Sequence, residues 1–197
     1  MLKPSDNPPL LPPGVATLAD LNGPWWIAHT KSRFEKAFAF DLLRRGIGYF
    51  LPMVERTKVS GGKKRRMVLP LFPSYVFFCG SDEERYGALA TDRLCRVIEV
   101  INQGGLLRDL LSLQEALARK AVLDPYPFAA VGRYCRVTAG PFQGLEGVLV
   151  QKLGPTRLIL QVNMLGQGAA MEIDAALLEP IVADAPAERS PAGGRQK

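Results

Sequence analysis

GPFQGLEG, residues 140–147, sets three glycines around one phenylalanine, between strand-like runs at 134–138 and 148–151. Gly140, Gly144 and Gly147 admit backbone angles that a Cβ would forbid, and Phe142 supplies an apolar plug at the bend. Strand-like runs recur at 133–138, 147–152, 157–164 and 169–174. That spacing predicts a small β-barrel over 131–181. Roughly fifty residues is near the lower limit for an independent fold, so this core is expected to be marginal.

Sixty residues upstream lies a second informative stretch, PLFPSYVFF at 70–78. Apolar residues on both faces of a strand call for burial on both faces, inside the fold or beneath a partner. Around it, residues 25–30 (WWIAHT) read as a strand. KSRFEKAFAFDLLRRG follows as a helix, with Phe34, Phe38 and Leu42 on one stripe and Arg44-Arg45-Gly46 as its stop. Residues 49–59 and 64–68 read as a hairpin turning at Ser60-Gly61-Gly62. Residues 82–92 read as a helix and 97–101 as a strand. The capping-box spacing of Ser112 and Glu115 places a last helix from 112 to about 122. The resulting class is α+β: an α/β sandwich on a mainly antiparallel sheet, then the small β-barrel. Prolines in DPYP, 124–127, mark a linker.

Composition narrows the function. The chain has 197 residues and a net charge of +6. The basic excess sits in 24–122, with 17 Lys/Arg against 10 Asp/Glu, while 131–181 is neutral at 4 against 4. ERTKVSGGKKRR, 55–66, concentrates six cations at the hairpin tip. Cys79, Cys95 and Cys135 form no CxxC pair and His29 is the sole histidine, so neither a zinc site nor a disulfide framework is expected. The cysteines are expected to be small buried hydrophobes and His29 to be structural. No Walker-type loop and no nucleophile beside a base is present, so a non-enzymatic protein without cofactor or metal is expected. No apolar run is long enough to cross a bilayer. The proline-rich start, 1–23, and the end, 182–197, read as disordered tails, and a cytoplasmic monomer is expected.

In this order, PLFPSYVFF and GPFQGLEG resemble the NusG family of bacterial transcription elongation and antitermination factors. The resemblance implies an NGN domain over 24–122, a linker over 123–130 and a KOW domain (SH3-like) over 131–181. It implies that the first domain binds the clamp helices of RNA polymerase through Phe72, Tyr75, Phe77 and Val100, in an apolar groove accepting helices. Lys31, Arg44 and Arg45 match helix positions that touch exposed non-template DNA. Lys63, Lys64, Arg65 and Arg66 could reach upstream duplex phosphates. The KOW motif and its partner surface fall on Gly140, Phe142, Gly144, Leu145, Gly147 and Leu165, with a small-subunit ribosomal protein as implied partner.

PLFP followed by Ser74 is similar to the specialised RfaH-like paralogues rather than to general members. Gly166-Gln167 after Leu165, where general members carry Gly-Arg, speaks against engagement of Rho. RfaH carries an acidic residue before PLFP that helps hold its domains together, and Leu69 stands there, so a free, tethered KOW domain is expected. The seven glycines of 131–181 also disfavour its refolding into helices. The alternative, a ribosome-associated KOW protein contacting ribosomal RNA or protein, would want a basic KOW domain.

Overall fold

The computed structural model describes residues 6–60, 63–126, 132–150 and 156–181. Its first sheet holds β1 (Trp25–Thr30), β2 (Gly48–Phe50), β5 (Tyr75–Cys79) and β6 (Leu94–Glu99), in the order β2-β5-β1-β6, all antiparallel. Side-chain alternation sorts β1 between two layers. Ala28 packs with Phe38, Ala39 and Leu42 of α1 (Glu35–Arg44) and Ala88 of α2 (Asp82–Leu89). Trp25 and Ile27 pack on the other face with Phe77 and with Leu106, Leu110 and Leu113 of α3 (Gln103–Ala118). β3 (Met53–Ser60) and β4 (Lys63–Pro70) form a separate two-stranded ribbon with Thr57 opposite Arg66 and Val59 opposite Lys64. The expected turn at Gly61-Gly62 lies outside the described residues.

The second sheet runs β12-β8-β9-β10-β11-β7, also antiparallel, from β7 (Asp124–Tyr126), β8 (Arg133–Val137), β9 (Glu146–Val150), β10 (Arg157–Val162), β11 (Gln167–Glu172) and β12 (Leu178–Pro180). The expected α+β class with antiparallel sheets holds. GPFQGLEG is the turn between β8 and β9: Gly144 N donates to Val137 O at 2.9 Å and Leu145 N to Phe142 O at 3.1 Å. Gly140 and Gly144 sit at φ +84° and +91°, where only glycine is unstrained. A Cβ on Gly147 would stand 2.6 Å from the Ile159 carbonyl oxygen.

Four expectations are corrected. The last helix begins at Gln103, not Ser112. Gly104-Gly105 argues against a helix by propensity, but the Asn102 side chain accepts from Gly105 N at 2.9 Å and caps the turn. Gln103 then accepts from Trp25 N at 2.7 Å and donates to Trp25 O and Val100 O. The linker is part sheet, since β7 pairs with β11.

Residues 6–23 are no disordered tail but a strap. Leu51 N donates to Leu10 O, Tyr49 Oη to Pro9 O, and Lys36 Nζ to Asn7 Oδ1. Prolines hold such a segment extended at low entropic cost and leave its carbonyls free to accept. Further along, Leu18 is fully buried, and Gln114 of α3 accepts from Leu18 N while donating to Ala16 O.

The second sheet is not free either. Leu145, Leu158, Leu160 and Val162 share one apolar cluster with Leu106, Leu110 and Leu113 of α3. The packing uses α3 rather than position 69, so the missing acidic residue there says nothing about it.

Candidate polymerase- and nucleic-acid-binding surfaces

Ser74, in the turn before β5, has φ +67°, a left-handed angle rare without glycine. Two bonds hold it: its N–H donates to the Glu35 carboxylate at 2.6 Å and its carbonyl accepts from Thr30 N at 2.8 Å. The turn sends Phe72 inward, edge-on to Phe77, with ring centroids 6.1 Å apart. Phe72, Phe77 and Val100 are all buried, at 1%, 0% and 4% exposure, whereas Tyr75 is half-buried. Of the four residues expected to meet a polymerase, Tyr75 alone therefore offers its own side chain. The other three lie within the cluster that continues through α3 into the second sheet.

The antiparallel register gives His29, expected to be structural, a place beside Tyr75. His29 lies opposite Tyr75 on one side and Arg96 on the other. Its ring meets Tyr75 at 5.2 Å between centroids. Both rings are half-buried, so an aromatic pair flanked by an exposed arginine stands beside the Phe72–Phe77 cluster.

Two carboxylates pair the cations of the α1 side: Asp92 holds Lys31, and Asp41 holds both Arg44 and Arg93. Lys31 Nζ bonds Asp92 Oδ1 at 2.8 Å, and this bond holds the exposed Asp92 carboxyl below its usual value. Asp41, 9% exposed, accepts from Arg44 and, at 3.0 Å, from Arg93 Nε. Arg93 in turn lies over the Phe34 ring at 5.2 Å. Arg45 is exposed at the helix end, toward Gly87 of α2. Arg93 is a cation of this surface that sequence spacing does not reveal. The exposed Lys31–Asp92 pair is worth about 0–1 kcal/mol, so a competing anion can displace it, whereas the Asp41 carboxylate is buried.

On the ribbon, Lys64 and Arg66 are exposed, while the side chains of Lys63 and Arg65 lie outside the described set. Arg56 belongs to the ribbon's root and not its tip. It bonds Asp124 Oδ1 at 2.6 Å and Leu123 O at 3.0 Å. The root also meets α1, where Lys36 Nζ donates to Val68 O at 2.7 Å. Burial holds the Lys36 ammonium below its ordinary pKa against the opposing pull of the Glu35 and Asp6 carboxylates.

A third surface is occupied by the protein itself. Leu145 is buried and lines a cleft of about 840 Å³ shared with Leu106, Leu111 and Leu160, between α3 and the second sheet. Phe142 and Leu165 pack against the same cluster. Polar bonds frame it. Asp109 accepts from Asn163 N at 2.9 Å and from Asn163 Nδ2, and Arg119 donates to Pro141 O and Gln143 O at 3.3 and 2.8 Å. Burial raises the Asp109 carboxyl above its usual value, opposed by the Asn163 bonds. Among the described residues no three His, Cys, Asp or Glu side chains converge as metal ligands. Burial pushes the Cys79 thiol up to about 12, with the Glu84 carboxylate adding to it, which makes it a poor nucleophile.

Residues 23–109 match the family model NusG, described as "Transcription termination factor nusG". That stretch contains the first sheet, α1, α2 and the FPSY turn. The solved structure "Domain interaction in Thermotoga maritima NusG" is similar to this chain at 16% identity and TM-score 0.45, covering 81% of this chain and 97% of that one. No curated protein sequence matches the chain.

Proposed function

We propose that this chain is a NusG-type transcription elongation factor that docks on RNA polymerase and suppresses pausing or premature termination. The observation that carries the reading is the coincidence of two features in one segment. Residues 23–109 match the NusG family model, and they also present the Tyr75–His29 pair beside the buried Phe72–Phe77 cluster. A half-open aromatic surface backed by a rigid core suits the clamp helices, with Tyr75 and His29 as contacts and Phe72, Phe77 and Val100 as their support. Lys31, Arg44, Arg45 and Arg93 face the non-template strand, and the ribbon carrying Lys64 and Arg66 faces upstream duplex. The work is done by binding, without a chemical step.

The second sheet acts as a KOW module that recruits a further protein, such as a small-subunit ribosomal protein, through Phe142, Leu145 and Leu165. Because Leu145 is buried against α3, recruitment follows release from α3. Pro70–Tyr75 and the Gly166-Gln167 loop favour a specialised, RfaH-like role over a general one. The test is a single-round transcription assay on bacterial elongation complexes. The expected result is a shorter dwell at pause sites and more read-through with added protein. An unchanged pause pattern, with the protein in excess, would refute the reading.

A further inference from the structure

Three non-glycine residues with left-handed backbones gather at one end of the first sheet: Arg33 at φ +65°, Ser74 at +67° and Asp92 at +56°. Strain of this kind persists where surrounding contacts over-determine it, and it concentrates at working sites. Here the contacts are explicit. Lys31 N donates to Arg93 O at 2.8 Å, Lys31 Nζ to Asp92, Thr30 N to Ser74 O, and Ser74 N to Glu35. One carboxylate therefore ties the start of α1 to the turn that sets Phe72 and Tyr75.

Glu35 is 7% exposed and is the first residue of α1. Phe34, the residue at the N-cap, makes no side-chain cap bond, and Glu35 is the only acidic residue of the first turn. A carboxylate there is favoured by the helix dipole. One of its oxygens accepts from the Ser74 amide, a bond that reaches across 39 positions to the FPSY turn.

We infer that Glu35 is a positioning residue for polymerase docking, acting through Ser74 to aim Tyr75 and to hold the docking turn in fixed relation to the nucleic-acid face at Lys31. The inference rests on the docking reading above. It separates Glu35 from a merely structural role, because the requirement for it disappears when residue 74 no longer needs forcing.

The test is equilibrium binding to purified bacterial RNA polymerase, alongside thermal melting of the free full-length protein. Glu35→Ala is expected to bind about tenfold more weakly, the loss of one hydrogen bond to a charged group. Glu35→Gln retains an acceptor oxygen and is expected to stay within about threefold of wild type. Glycine takes the left-handed angle without strain, so Ser74→Gly added to Glu35→Ala recovers most of the affinity without restoring the carboxylate. Glu35→Asp keeps the charge on the first turn but is one methylene shorter. It serves if the alanine variant fails to fold, with the same weakening and the same rescue expected. Unchanged affinity in a folded Glu35→Ala or Glu35→Asp variant, or no rescue by Ser74→Gly, overturns the inference. Absence of binding by the wild-type protein overturns the docking reading and this inference with it.

Discussion

Replacing Asp109 with alanine should loosen the second sheet from α3. The substitution removes the acceptor of Asn163 N and Nδ2, bonds of 2.9 and 3.1 Å. A hydrogen bond to a charged group is typically worth about 1.5–3 kcal/mol. Asn163 is exposed, however, so water can take over both donors, and burial already penalises the Asp109 charge. The net loss should be about 1 kcal/mol, which multiplies the ratio of released to docked forms roughly fivefold. Asp109→Asn keeps one acceptor oxygen and discards the buried charge, so it should leave docking within a few tenths of a kcal/mol, about the error of the measurement. Hydrogen exchange of the α3 amides reads both variants. The carboxyl is raised in the folded protein, so the folded state holds its proton more tightly than the unfolded one. The proton-linked part of the Asp109 contribution is therefore fully present below 3.8 and is lost as pH rises through the raised value, where the Asn163 bonds remain. Asparagine removes that slope. Faster exchange in Asp109→Asn than in Asp109→Ala, or equal exchange in wild type and Asp109→Ala, would refute the latch.

Leu18→Ala, in the strap, should cost about 2–5 kcal/mol of stability, as for a fully buried leucine, measured by denaturant unfolding; a change under 1 kcal/mol would mean that the strap is not part of the core. Lys64→Ala/Arg66→Ala should lower the slope of log affinity against log salt for duplex DNA by about 0.9 for each phosphate no longer neutralised; an unchanged slope would place the ribbon off the DNA. Tyr75→Ala should leave folding nearly intact, whereas Phe77→Ala should cost about 3–5 kcal/mol because that ring is wholly enclosed.

What can be read from the chain follows the reach of its signals. The β8–β9 turn is legible because glycine spacing is local, and φ +84° and +91° at Gly140 and Gly144 are what such a turn demands. α1 is legible from its apolar stripe and its arginine-glycine stop. The start of α3 is not, because Gly104-Gly105 weighs against a helix, while the compensating bonds from Asn102 and Gln103 reach a cap and a distant strand. The strap is hidden for a related reason: proline-rich composition reports the absence of helix and sheet, and not the absence of docking. Its anchors, Leu18 and the Gln114 amide, meet across 96 positions. His29, Glu35 and Arg93 are silent because a single residue declares its role only when register and tertiary packing supply Tyr75, Ser74 and Asp41. Phe72, Phe77 and Leu145 likewise share one cluster with residues of α3, a packing that no local pattern specifies.

The most direct test of the account is the equilibrium affinity of purified bacterial RNA polymerase for wild type and for Tyr75→Ala/His29→Ala, with melting curves confirming that both fold. Binding by the wild type and at least a tenfold loss in the double variant, about 1.4 kcal/mol or more, are expected. Equal affinities for two folded proteins, or no wild-type binding at moderate salt, would contradict it.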